Sequence, residues 1–222
     1  MPSRTKRVFF SDYVFVVDEN VYEPAEDSFL FAENLDVKES ERVLDMGTGC
    51  GILGILAVKK ASMVVALDVN PYAVRCAKEN AQLNQVRNKM AFVQGDLFTS
   101  LNKEEKFDVI LFNAPYLPTE AEEGDSWLDR SWSGGVAGRQ ILDRFISEVP
   151  KHLKRTGHIL LMQSTLASVD ETLFKFAECR LNASIVANRA FPFFETITLL
   201  KAKRSARNQP VITPYVDLGT KF

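Results

Sequence analysis

Short apolar runs recur along this chain, and an acid or an amide closes each of them. Val43-Leu44 runs into Asp45, Met63-Val64-Val65-Ala66-Leu67 into Asp68, Ala91-Phe92-Val93 towards Asp96, and Val109-Ile110-Leu111-Phe112 into Asn113. Runs of this length with β-branched residues read as strands buried on both faces. The stretches between them carry helical spacing. The pattern predicts helices over 26–35, 52–61, 71–84, 138–153 and 168–180. It predicts strands over 42–46, 63–68, 90–94, 107–112, 157–163, 183–190 and 193–201, after two short ones around Val8-Phe10 and Tyr13-Val17. Alternating strands and helices give an α/β fold with a mostly parallel sheet. The last two strands have no helix between them and are expected to form an antiparallel hairpin at or near an edge. The run Met90-Ala91-Phe92-Val93, third in order, is expected at an edge, where unpaired N–H and C=O groups invite another chain.

The turn after the first sheet strand is Asp45-Met46-Gly47-Thr48-Gly49-Cys50-Gly51-Ile52-Leu53-Gly54. From Gly49 it matches the dinucleotide pattern G-x-G-x-x-G. Glycines there let a ligand approach the backbone, and the helix that follows offers free N–H groups. Asp45 separates two readings. A carboxylate beside the loop repels a pyrophosphate and welcomes an ammonium group, which favours S-adenosylmethionine (SAM) over NAD. Asp68 at the next strand tip is placed for the ribose hydroxyls. Asn70 precedes Pro71, which opens a helix where its missing N–H costs nothing. Asp96, with Leu97, is placed for adenine. One strand-end Asp can be a simple cap; a series of such residues after successive strands points to a cofactor.

Asn113-Ala114-Pro115-Tyr116 then ends a strand with an amide, a proline and an aromatic ring. The Asn oxygen can accept one N–H of a planar NH2 group. A backbone carbonyl held by Pro115 can accept the other, while the ring covers the face. The nitrogen lone pair is left pointing outward, ready for an electrophile. The same tetrapeptide also reads as an ordinary turn.

With 222 residues, the chain suits one sizeable domain, expected over 21–201, with an N-terminal extension at 1–20 and a basic tail at 202–222. The net charge of −2 gives no overall pull towards nucleic acid. Cys50, Cys76 and Cys179 form neither a disulfide framework nor a metal pattern, which fits a reducing cytoplasm. His152 and His158 flank a turn and read as structural, and no run is long enough to span a membrane. Between Leu117 and Gly135 the chain is acidic, with Glu120, Glu122, Glu123, Asp125 and Asp129, and it carries Trp127 and Trp132. It reads either as a solvated loop or as a lid that meets a basic substrate protein.

Tyr22-Glu23-Pro24-Ala25-Glu26-Asp27-Ser28, the Asp45 glycine loop, Asp68, Asp96-Leu97, Asn113-Ala114-Pro115-Tyr116 and Ser131-Trp132-Ser133-Gly134-Gly135 follow in that order. Together they resemble the HemK-type glutamine methyltransferases of class-1 translation release factors, over roughly residues 20 to 200. Only about twenty residues precede Tyr22, which resembles the archaeal and eukaryotic branch. The resemblance implies a seven-stranded class I, Rossmann-like SAM-dependent methyltransferase sheet. It implies SAM contacts from Ser28, Asp45, Gly47, Gly49, Gly51, Asp68, Asn70, Asp96, Leu97 and Asn113. It places the acceptor glutamine amide at Asn113, Ala114, Pro115 and Tyr116, with Asn113, Pro115 and Tyr116 as the catalytic set. It implies a release factor as substrate and a small zinc-binding activator subunit. The commoner family tetrapeptide has proline where this chain has Ala114, which puts loop rigidity in question. Glu23, Glu26 and Asp27 either act near the site or serve as helix N-terminal charge. Three other readings stand beside the first: an adenine-N6 methyltransferase, whose acceptor is also a planar NH2; a protein lysine methyltransferase; and a non-catalytic SAM-binding module.

Overall fold

The computed structural model describes residues 5–119, 126–191 and 195–205. Its elements in chain order are β1 (Thr5–Phe10), β2 (Tyr13–Asp18), α1 (Glu26–Glu33), β3 (Arg42–Met46), α2 (Ile52–Ala57), β4 (Met63–Asp68), α3 (Pro71–Leu83), β5 (Met90–Gln94), β6 (Phe107–Asn113), α4 (Trp127–Arg130), α5 (Gln140–His152), β7 (Leu153–Ser164), α6 (Val169–Glu178), β8 (Leu181–Ala190) and β9 (Thr196–Arg204). Seven strands form one sheet in the order β5-β4-β3-β6-β7-β9-β8. All neighbours from β5 to β7 run parallel, and β9 lies antiparallel between β7 and β8. The expected edge positions of the 90–94 strand and of the terminal hairpin are those observed.

The period of two along each strand divides the apolar runs between two cores. Val43, Val109 and Leu111 face Phe15, Phe31 and Ile55 on one side of the sheet. Leu44, Ile110 and Phe112 face Phe145, Ile146 and Val149 on the other. Both faces are covered, so the central strands need no polar face and read as continuous hydrophobic stretches. The chain leaves β3 towards β4 and β5, then returns past β3 to β6. The reversal between β3 and β6 opens a crevice at their carboxyl ends, where open α/β sheets bind ligands.

Several boundaries differ from the expectation. The first helix ends at Glu33 and α2 ends at Ala57, each earlier than the periodicity suggests. The last strand runs on to Arg204, which pairs with Leu181. Lys203 and Arg204, expected in a tail, therefore belong to the sheet; the rest of that tail from residue 206 lies outside the described residues. Among the described residues no helix is long and apolar enough to cross a membrane.

The N-terminal hairpin is held by two asparagines one turn apart, one within α3 and one at its C-cap. Asn80 and Asn84 each accept from a backbone N–H of β2 and donate to the carbonyl of the same residue, at Val16 and Val14. Two residues apart on a strand point the same way, and Asn at i and i+4 match them. The two side chains thus stand in for a neighbouring strand and satisfy the β2 edge. Asn80 Nδ2 also donates to the Cys50 carbonyl, tying the hairpin to the glycine loop.

Candidate active site

The glycine loop leaves β3 and enters α2 with Gly47, Gly49 and Gly51 all at positive φ. At Gly49 a Cβ would meet nothing within 4 Å, because that position faces open cavity. At Gly51 a Cβ would lie 3.1 Å from Ala77, so this glycine serves the contact between the loop and α3. Gly47 and Gly49 line the cavity, whereas Gly51 does not. The expectation that Gly51 touches the cofactor is corrected to a packing role.

Asp45 is also corrected. Its carboxylate turns under the loop, where Oδ2 accepts from Thr48 Oγ1 at 2.6 Å and from the Gly54 N–H at 2.9 Å. It is 1% exposed and does not line the cavity. It shapes the loop and does not face an ammonium group. Burial pushes its carboxyl up to about 7, against the lowering effect of those two hydrogen bonds.

Asp68 ends β4 inside the cavity wall. Oδ2 accepts from the Gly49 N–H and Oδ1 from the Asn70 N–H, each at 2.9 Å. Burial pushes this carboxyl up as well. The carboxylate thereby fixes the loop and still presents acceptor capacity to a ribose. Asp68→Ala removes those contacts and should weaken SAM binding by about 1–3 kcal/mol, near tenfold or more in Kd. Titration calorimetry checks this; undiminished affinity would reject Asp68 as the ribose ligand. Asn70 lines the cavity, yet its polar atoms are engaged elsewhere. Oδ1 caps α3 through the Tyr72 N–H, and Nδ2 donates to the Asn20 carbonyl. The Asn70 side chain thus caps α3 while the residue borders the cavity.

Asp96 and Leu97 follow β5 and line the cavity. Asp96 Oδ2 accepts from Arg144 of α5 at 2.7 Å. Arg144 also lines the cavity, and the sequence reading missed it; a single cation on an amphipathic helix carries no motif.

The acceptor corner is built around a carboxylate. Asp27 opens α1 and is buried beside the end of β6. Its Oδ1 accepts from the Tyr22 hydroxyl at 3.1 Å, the Ser28 N–H at 2.6 Å and Ser28 Oγ at 3.2 Å. Its Oδ2 accepts from Asn113 Nδ2 at 3.0 Å and the Tyr116 hydroxyl at 3.3 Å. Ser28 Oγ lies 3.3 Å from Asn113 Nδ2 and takes a second hydrogen bond from it. Both N–H groups of Asn113 are thus directed to one side, and Asn113 Oδ1 is buried with no partner. Burial and the neighbouring Asp27 charge push both tyrosine phenols up, so they stay protonated donors. Of the three acids left open by the sequence, Glu23 pairs with Lys6 and Glu26 with Arg189 at the surface. Asp27 alone belongs to the site.

Ala114 is buried, and its N–H donates to the Met162 carbonyl at 3.4 Å, carrying the β6–β7 ladder one residue further. Proline has no N–H to give. Alanine therefore holds this carbonyl to the sheet in place of the rigidity a proline ring supplies. Pro115 and Tyr116 line the cavity beside it.

The described parts of the segment after Tyr116 border the outer side. Leu117 exchanges backbone hydrogen bonds with Trp132 and Gly134, and Trp127, Arg130 and Trp132 face the cavity. Arg130 lies over the Trp127 ring at 5.3 Å. The far end of this segment is anchored by buried Arg139, which donates to the carbonyls of Ala167 and Ser168. Both tryptophans thus line the cavity wall. Glu120, Glu122, Glu123 and Asp125 lie outside the described residues. The cavity measures about 790 Å³. Among the described residues no group of His, Cys, Asp and Glu could hold a metal ion.

Comparison with known proteins places this geometry among methyltransferases. A family profile described as ribosomal protein L11 methyltransferase matches residues 27–114. A putative protein N5-glutamine methyltransferase of Methanocaldococcus jannaschii is 48% identical over 182 residues, covering 81% of this chain and 90% of that relative. Methyltransferase HEMK2 of Homo sapiens is 30% identical over 197 residues, covering 84% and 91%. Among solved structures, the E. cuniculi Mtq2-Trm112 complex, described as responsible for methylation of the eRF1 translation termination factor, superposes with a TM-score of 0.61 at 27% identity. The superposition covers 84% of this chain and 99% of that one.

Proposed function

We propose, from the premise that this chain belongs to the HemK-type family of protein N5-glutamine methyltransferases, that it methylates the glutamine of the Gly-Gly-Gln loop in a class-1 translation release factor. It is a SAM-dependent enzyme, and the residues present suit that cofactor. Open space stands over Gly49, and Asp68 and Asp96 supply acceptors along the crevice. Leu97 offers an apolar wall for adenine. Bound there, SAM supplies a methyl group made electrophilic by its sulfonium.

The observation that carries the reading is the buried, unpartnered Asn113 Oδ1. A buried acceptor without a donor costs free energy, and a substrate N–H removes that cost. Asn113 takes one N–H of the acceptor amide and the Ala114 carbonyl takes the other. The amide nitrogen is then aimed with its lone pair towards the methyl. Held so by Asn113 and Ala114, the nitrogen would take the methyl carbon, and the C–S bond pair would leave with the sulfur. The extra proton leaves to solvent, since an N-protonated amide is very acidic and needs no strong base. Positioning in a dry site is therefore the main catalytic device.

The partner proposal rests on β5. Its outer edge meets no strand among the described residues. Phe92 of β5 is half-buried beneath Arg87, and Leu83 at the end of α3 is exposed. A small activator subunit that adds a strand to this edge would cover them. Mtq2 is described in complex with Trm112, which supports such a partner; zinc binding by that subunit is part of the proposal. A translation-factor substrate and free cysteines suit the cytoplasm.

Radiolabelled SAM tests the reading with a release factor, tRNA and DNA offered in parallel, each with and without the candidate subunit. Label in the release factor, rising strongly when the subunit is added, is the expected result. Label in nucleic acid with the release factor untouched would favour adenine-N6 methylation. Full activity of a soluble, solitary chain would remove the partner requirement.

A further inference from the structure

We infer that Asp27 decides which end of the Asn113 amide faces the substrate, and so acts as a positioning residue for methyl transfer. The inference rests on the acceptor role given to Asn113 above.

A carboxylate can only accept hydrogen bonds. Asn113 set against Asp27 Oδ2 must present its NH2, because its oxygen there would bring two acceptors together. With the NH2 held at 3.0 Å by Asp27, Asn113 Oδ1 is the end left without a partner, on a residue that lines the cavity. That is the end that can hold a substrate N–H. Without this constraint the amide could turn over, offer a donor to a donor, and hold no NH2 group. Tyr22 and Tyr116 keep the carboxylate in place from two further sides.

Asp27→Asn makes the assignment sharp. The Ser28 backbone N–H, 2.6 Å from Oδ1, cannot reverse its polarity, so the introduced amide must keep its oxygen there. Its NH2 then falls at the Oδ2 position and faces the Asn113 NH2. Two donors repel, and Asn113 is driven to turn its oxygen inward and its NH2 to the cavity. The double substitution Asp27→Asn with Asn113→Asp reverses both polarities. The new NH2 then donates to the new carboxylate, whose other oxygen again offers an acceptor to the substrate.

The test is kcat on the protein acceptor, with SAM affinity and melting temperature measured on every variant. Asp27→Asn should lower kcat about 10²-fold or more, as for a misplaced contact, with SAM affinity within about twofold of wild type. The double variant should recover about tenfold over Asp27→Asn. Near-wild-type kcat in the single variant would overturn the inference. A folded double variant no faster than the single would overturn it too. Should Asp27→Asn fail to fold, the comparison is between Asn113→Asp and the double variant, and equal rates would again overturn it. The wild-type rate, measured alongside, separates failure of this inference from failure of the substrate assignment.

Discussion

Asn113→Ala should lower turnover about 10²-fold or more while leaving SAM affinity nearly unchanged. The side chain makes no hydrogen bond with the glycine loop, Asp68 or Asp96; its partners are Asp27 and Ser28. Truncation deletes the buried, unpartnered oxygen proposed to accept from the substrate amide. Asp27 keeps its contacts with Tyr22, Ser28 and Tyr116, so the fold around the corner survives. The loss should therefore fall on kcat and on acceptor binding. Single-turnover methylation and calorimetry with SAM separate these. Near-normal turnover at saturating substrate would refute the role.

Phe112→Ala should be the most damaging single change to stability near the site. The ring is 2% exposed and packs against Phe145 with centroids 4.5 Å apart. It also lies 3.4 Å from where a Gly47 Cβ would be, directly beneath the first turn of the loop. Truncating a buried phenylalanine costs about 3–5 kcal/mol, the lost burial plus the cavity left behind. For a chain of this size that lowers the melting temperature by roughly 6–20 °C. SAM binding should weaken too, because the loop loses its floor beside Gly47. Differential scanning calorimetry followed by SAM titration at low temperature checks both. An unchanged melting temperature would show that the core relaxes into the space.

The sheet was legible because its central strands are buried on both faces, so their runs are apolar throughout and their ends are marked by Asp68 and Asn113. The edges were legible from connectivity, since three successive strands leave the switch point in one direction. Individual roles were less so. A strand-end aspartate looks the same whether it meets a ligand or staples its own loop, and Asp45 does the second through Thr48 and Gly54. Gly51 likewise looks like Gly49, but its neighbour is Ala77 of a helix that follows much later in the chain. Asp27 at a helix start resembles ordinary N-terminal charge. Its decisive partners, Asn113 and Tyr116, are 86 and 89 residues away and leave no local signal. The end of β9 resembles a tail in sequence because Lys201, Lys203 and Arg204 are charged. Pairing with β8 carries the backbone through them, with Lys201 paired to Asp36.

On the proposed function, this site holds and methylates a glutamine amide. The most direct measurement is tandem mass spectrometry of a class-1 release factor incubated with the chain, SAM and the candidate activator subunit. A single added methyl group on the side-chain nitrogen of the Gly-Gly-Gln glutamine is the predicted result, accumulating about 10²-fold more slowly with Asn113→Ala. A methyl group on lysine, or none on the release factor while adenine is methylated, would contradict it.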